Sequence, residues 1–142
     1  MELSNLIESI KRNFHFLNDY GFQYESFESF NQGFPDDIAF DVIFFKKIIN
    51  NNYHFFIQFH PRAQYHIYVY MYNDKLRKSL SLSKFFILEN KIKDGYINKE
   101  DLDSELKRWA VLVEELFNTK LQKVITGEEW ISLPYHDPRD DY

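Results

Sequence analysis

With 142 residues, 44% of them hydrophobic and 19% aromatic, the chain is sized for one well-filled core, and four glycines and four prolines leave little for long linkers. Lys and Arg number 17 against 22 Asp and Glu, a formal charge of -5, so there is no basic field to hold a phosphate backbone and nucleic acid is excluded as the expected partner. Absence of cysteine removes disulfides, thiol nucleophiles and thiolate metal sites, and no apolar run reaches membrane-spanning length.

The opening Met1-Glu2-Leu3-Ser4 has neither the basic start nor the apolar core of a signal peptide, which leads to the expectation of a cytoplasmic protein. The abundance of Asn, Lys, Ile, Phe and Tyr is the composition of an AT-rich bacterial genome. From Asn5 to Tyr20, Leu6, Ile7, Ile10, Phe14 and Leu17 recur at three- and four-residue spacing and predict an amphipathic helix. Asn5 with Glu8 forms its expected capping box, and Gly21 its left-handed C-terminal residue, with Phe22 folding back on Leu17. Residues 22 to 30 alternate as a first strand whose phase slips near Glu25 and Ser26. After a loop at 31 to 37, Ile38 to Ile49 reads as a second strand with Phe40, Val42 and Phe44 on one face and Asp41, Ile43 and Phe45 on the other. Asn50, Asn51 and Asn52 supply the reversal.

The most informative stretch follows. YHFFIQFH, then PRAQ, then YHIYVYMY predicts a β-hairpin over residues 53 to 72. Tyr53, Phe55, Ile57 and Phe59 form the apolar face of one strand and Ile67, Val69 and Met71 that of the other. His54, Phe56, Gln58, His60, His66, Tyr68, Tyr70 and Tyr72 form a polar aromatic wall. For like faces to coincide, Phe56 must oppose Tyr70 and His60 must oppose His66, which requires an odd loop or a bulge near Arg62 to Gln64.

Lys75 to Leu82 reads as an edge strand guarded by its cations. Ser83 is expected to cap a short helix to about Lys91, with Leu82 and Ile87 as its staple. Asn98 caps a final helix, with Asp101 in its box and Ile97 and Leu102 as its staple. Its stripe of Leu102, Leu106, Trp109, Val113, Leu116, Phe117, Leu121, Val124 and Ile125 predicts one continuous rod ending at Gly127. Residues 1 to 130 are thus expected to form a single domain, and residues 131 to 142 an acidic tail.

Few constellations carry chemistry. Asp94 to Asp101 has the outline of the second half of a calcium-binding loop, but Ile92 stands where an oxygen ligand is needed and Asp101 where a bidentate glutamate is needed, so a plain connection is expected. His60 and His66, with His54 nearby, lack a carboxylate fixed beside them by sequence, and no metal is expected. With no nucleophile elbow, phosphate-cradling glycine loop or Walker pattern, neither enzymatic activity nor a cofactor is expected.

Leu17-Asn18-Asp19-Tyr20-Gly21-Phe22 at one end, and Leu121 to Gly127 followed by Trp130 at the other, resemble the bookends of small bacterial α+β proteins, some of which are immunity proteins against polymorphic or contact-dependent toxins. The resemblance implies a non-enzymatic acidic protein that binds a toxin domain, and transfers no functional residue. The expectation is therefore an α+β domain: an N-terminal helix, an antiparallel sheet of four to five strands, and C-terminal helices packed on one sheet face. Partner-binding residues are expected to be Tyr68, Tyr70, Tyr72, Phe56, His60 and His66, with Asp36, Asp37, Asp140 and Asp141 supplying an attractive field. A small-molecule pocket between sheet and helix is the alternative, and an enzyme without a recognisable motif comes third.

Overall fold

The computed structural model of the chain describes residues 3 to 31, 38 to 61, 65 to 94, 96 to 136 and 139. Helix α1 (Leu3–Asn13) continues as a 3-10 turn (His15–Tyr20), followed by β1 (Gln23–Asn31), β2 (Ile38–Ile48), β3 (Asn51–Pro61), β4 (Tyr65–Asn73) and β5 (Lys78–Ser81). Then come α2 (Leu82–Leu88), the two-residue β6 (Tyr96–Ile97), α3 (Leu102–Phe117) and α4 (Gln122–Thr126). The fold is α+β, with the strands in order β1-β2-β3-β4-β5, every pairing antiparallel, and β6 added to β4 beyond β5.

The hairpin register is the one the two faces demand. Phe56 pairs with Tyr70, Ile57 with Val69 and His60 with His66, and Pro61 opposite Tyr65 leaves the odd loop 62 to 64, itself outside the described residues. The phase slip in β1 is a bulge, since Tyr24 pairs with Phe44 and Ser26 with Ile43, leaving Glu25 as the extra residue. Between β2 and β3 the chain reverses at Ile49 and Asn50, with Asn50 at φ 58. The turn into β5 is held by Asn73, whose side-chain oxygen accepts from Asn51 (2.8 Å) and from the Leu76 N–H (3.0 Å).

Among the described residues, α1, α2, α3 and α4 pack on the same side of the sheet. One cluster joins Val42, Phe44, Phe55, Ile57, Phe59, Ile67, Val69 and Met71 to Leu6, Ile10, Phe14 and Leu17 of the N-terminal segment, Phe85 and Phe86 of α2, Leu106, Trp109, Val113 and Phe117 of α3, and Val124 of α4. It contains none of the oppositely directed strand residues. Leu133 also enters it, so the C-terminal segment continues the helical layer past Trp130, whose ring meets Tyr53 at 5.4 Å.

Four local expectations need correction. Helix α1 begins by Leu3, so Asn5 and Glu8 lie within it and form no capping box. Ser81, not Ser83, caps α2, accepting from the Lys84 N–H at 3.2 Å. Ser83 turns inward, where its hydroxyl bonds both the N–H and the C=O of Val69, filling the stretch of the β4 edge between β5 and β6 that no strand covers. The final rod is broken: α3 ends at Phe117, Asn118 to Leu121 form turns, and α4 starts afresh. Thr119 Oγ1 donates to the Glu115 carbonyl (2.9 Å) and the Leu121 N–H to the Leu116 carbonyl (3.0 Å), closing the helix so that Leu121 can bury fully. Asn98 is a cap as expected, accepting from the Glu100 N–H (3.1 Å), but the box is closed by Glu105, which accepts from the Asn98 N–H (3.0 Å), rather than by Asp101.

Two polar devices tie the helical layer together. Lys46, half-buried on the core side of β2, donates to the Tyr20 carbonyl (2.7 Å) and the Ile125 carbonyl (2.6 Å), the C-terminal ends of the 3-10 turn and of α4. Both ends are followed by a left-handed glycine, Gly21 (φ 89) and Gly127 (φ 83). A Cβ on Gly127 would also lie 2.5 Å from Ile48 Cγ2, so only glycine lets α4 reach β2. Between α1 and α3, one oxygen of Asp103 accepts from Ser9, Arg12 and Asn13.

Lys46→Met should leave two helix-end carbonyls without their donor and destabilise the fold by about 2 kcal/mol in urea unfolding. An unchanged midpoint would show that the contact is ornamental.

The hydrogen bonds from Ser9, Arg12 and Asn13 lower the Asp103 carboxyl from 3.8 to about 2. Because the folded value is the lower one, this contribution is present above the ordinary carboxylate range and is lost as the pH falls toward 2. Asp103→Asn should therefore lower the urea midpoint at neutral pH, with the gap to the wild type closing on acidification. A gap that stays constant with pH would rule out the carboxylate as its source.

Candidate functional site

The helical layer leaves the second face of the sheet as its outer surface. Inward and outward positions alternate without interruption along β4, where Tyr65, Ile67, Val69, Met71 and Asn73 are buried while His66, Tyr68, Tyr70 and Tyr72 are half-buried. Since a strand displays successive side chains on opposite faces, packing the helices on one set obliges the other to stand outward. Phe56, His60, His66, Tyr68, Tyr70 and Tyr72 are all brought together there. Asp36, Asp37, Asp140 and Asp141 lie outside the described residues.

The rings form a connected surface. Phe56 and Tyr70 stack with centroids 4.7 Å apart and planes 10° from parallel. Tyr68 tilts against Tyr70 (5.3 Å), His54 against Phe56 (5.8 Å), and Phe45 against His54 (5.4 Å). At the other end His60 meets His66 at 5.6 Å, and His66 meets Tyr96 of β6 at 5.0 Å. Such contacts hold each ring in place, so little rotamer freedom remains to be lost on binding.

A polar chain crosses the same face. Asp41 does project beside the hairpin, opposite Gln58, and accepts from Gln58 Nε2 at 3.2 Å. With its nitrogen so used, the Gln58 amide offers its oxygen to His60 Nε2 (3.0 Å), which places the imidazole proton on Nε2. Burial pushes the Asp41 carboxyl above its usual value, the Gln58 donor pulls it back, and Glu28, paired directly across from it in β1, pushes it up again. Two like charges held opposite one another in a sheet are an unfavourable pair. His54, meanwhile, lies between two carboxylates, its Nδ1 3.2 Å from Asp74 and its Nε2 3.8 Å from Glu25. Beside it His54, Phe56, Tyr70, Tyr72 and Asp74 line an open cavity of 270 Å³.

Sequence reasoning missed Glu25, Asp74 and Tyr96 as members of this surface. Each depends on a long-range placement: the bulge that frees Glu25, the turn that swings Asp74 back over His54, and the two-residue β6 that carries Tyr96 to His66. Among the described residues, no three His, Asp or Glu side chains converge as a metal site. In the loop with the calcium-site outline, the Asp94 carboxylate accepts from the Tyr96 N–H at 2.9 Å, an ordinary Asx turn. No helix among the described residues is long and apolar enough to cross a membrane.

The chain matches no family model, no curated protein and no solved structure. What the face binds has to be argued from its own chemistry.

Gln58→Leu removes the one group that pulls the Asp41 carboxyl downward, leaving burial and Glu28 to act unopposed. The Asp41 titration followed by NMR should move to higher pH in this variant. Movement to lower pH would show that burial does not govern the site.

Proposed function

We propose that the chain is a non-enzymatic protein-binding domain that docks its partner on the outer sheet face, and that the partner is basic. The observation that carries this reading is the aromatic wall: stacked, half-buried Tyr, Phe and His side chains on a face that no described element covers. Tyrosine and phenylalanine are enriched at interface centres because they present large area with few torsions to freeze, and the tyrosine hydroxyl tolerates water before binding and a polar partner after it. The sign of the partner follows from charge. Glu25, Glu28, Asp41 and Asp74 border or stand on the face, and the chain as a whole carries -5, so a cationic surface is attracted and a second copy of this chain repelled.

The sharpest version is an immunity protein acting in a bacterial cytoplasm, where an acidic inhibitor is steered to a toxin domain that binds nucleic acid and is therefore basic. A small-molecule binder is less well supported. The concavity between α2 and α3, lined by Phe85, Leu112 and Leu116 and rimmed by Glu89 and Lys120, holds 230 Å³, and that on the outer face 270 Å³. Both fall below the range of about 300 to 1,000 Å³ usual for small-molecule sites.

Affinity capture from the native cell extract followed by binding kinetics tests the proposal. Tyr70→Ala should weaken the captured complex by about 2 kcal/mol, chiefly through faster dissociation. Val111→Ser, on the exposed side of α3, should leave it unchanged. A partner indifferent to Tyr68, Tyr70 and Tyr72 alike would refute the docking face.

A further inference from the structure

The cavity on the outer face has a composition that specifies its occupant more narrowly than the face as a whole. Among the described residues its lining is four rings, His54, Phe56, Tyr70 and Tyr72, and the carboxylate of Asp74. No described lysine or arginine lines it. The Glu25 carboxylate lies on the far side of His54, 3.8 Å from Nε2, so the imidazole that forms one wall is flanked by negative charge on both sides. Aromatic ring faces attract cations through their quadrupole, and a carboxylate at the mouth adds a directed ionic hydrogen bond. An anion or a neutral apolar group would leave Asp74 and Glu25 facing nothing of opposite sign.

Resting on the proposed function, we infer that this cavity is a receptor for an arginine side chain of the protein partner, which lies against the aromatic walls while its guanidinium pairs with Asp74. Arginine fits better than lysine for two reasons. Its planar guanidinium stacks on rings, which a compact ammonium does not, and its fork of donors matches a carboxylate two bonds at a time. Weaker hydration also makes it the easier cation to strip of water in an aromatic enclosure. Glu28 and Asp41, opposed across β1 and β2, place further negative charge on the same face, so the arginine would approach down a gradient of attractive potential. Two copies of the chain placed face to face would set these carboxylates against one another, which argues against a self-associating role for the cavity.

A capped Ala-Arg-Ala tripeptide and its citrulline twin, equal in size and shape but neutral, provide the test when titrated into the full chain at matched ionic strength and followed by backbone amide NMR. The arginine peptide should give saturable shifts centred on His54, Phe56, Tyr70, Tyr72 and Asp74, and the citrulline peptide should bind about tenfold more weakly. Asp74→Asn, isosteric and set in a turn organised by Asn73, should reduce arginine binding to the citrulline level, and Tyr72→Leu should weaken both peptides. Equal binding of the two peptides, shifts away from these residues, or no saturable shift would overturn the arginine receptor. If that happens while Tyr70→Ala still weakens the captured partner, the docking face stands and only the arginine assignment falls. Should the partner be indifferent to Tyr70 as well, the proposed function falls with it.

Discussion

Lys46 occupies the point at which both ends of the chain meet the sheet. Its ammonium serves carbonyls at the C-terminal ends of two helical segments that are far apart in sequence, that of Tyr20 in the 3-10 turn and that of Ile125 in the last turn of α4. A cation there meets the negative ends of two helix dipoles and satisfies acceptors that would otherwise be left without a donor. Burial pushes the ammonium below its usual value, and the same Nζ that bonds both carbonyls stands 5.8 Å from the centroid of the Phe22 ring. The glycines after each helix end are part of the same arrangement, since Lys46 Cε would lie 3.1 Å from a Cβ at Gly21, and Ile48 would block one at Gly127. Fixing both helix ends against β2 commits the N- and C-terminal helices to one side of the sheet.

That commitment leaves the second face of the sheet outward. In a two-layer domain the second sheet face must be compatible with water, and the usual solution is alternation of apolar and charged residues. Here the outward positions carry rings with polar edges instead. Tyr68, Tyr70, Tyr72, His54, His60 and His66 are half-buried there and pack ring against ring, with His54 and His60 engaging Asp74 and Gln58 through ring nitrogens, so the sheet keeps its cross-strand pairs. The result is a connected aromatic surface on a chain with a net charge of -5.

Much of this was legible in the sequence because the relevant signals are short-range. Period-two alternation over residues 53 to 72 decided the hairpin register and both faces, the broken phase at Glu25 marked a bulge, and Gly21 with Phe22 closed the helical run by bonds to Asn18 and Leu17, although the helix expected through Tyr20 ends at Asn13 and finishes as a 3-10 turn. What stayed illegible depends on competition between distant partners. A helix stripe that runs unbroken from Leu102 to Ile125 does not reveal that Leu121 packs better after a turn. Ser81 and Ser83 have equal capping chemistry, and only the uncovered backbone of Val69 draws Ser83 inward. Nothing in the local pattern marks Lys46 or Asp103. For Ser83, Lys46 and Asp103 the controlling partner lies at least ten residues away in sequence, where periodicity carries no information.

The pair Glu28 and Asp41 shows that the outer face carries a cost in stability. Directly opposed carboxylates are unfavourable in a free sheet, and burial of Asp41 adds to the penalty, with Gln58 offsetting only part of it. A fold selected for stability alone would place a lysine at either position and gain a cross-strand ion pair. Retaining two acids instead keeps the local potential negative, and a cation brought by a partner then relieves a repulsion as well as forming a new attraction. At His54, Glu25 and Asp74 set two carboxylates around a single imidazole. Under the proposed function the opposed acids Glu28 and Asp41 would be a repulsion that a cationic partner relieves on docking, whereas Asp103, with three donors on one oxygen, already draws its partners from within the fold.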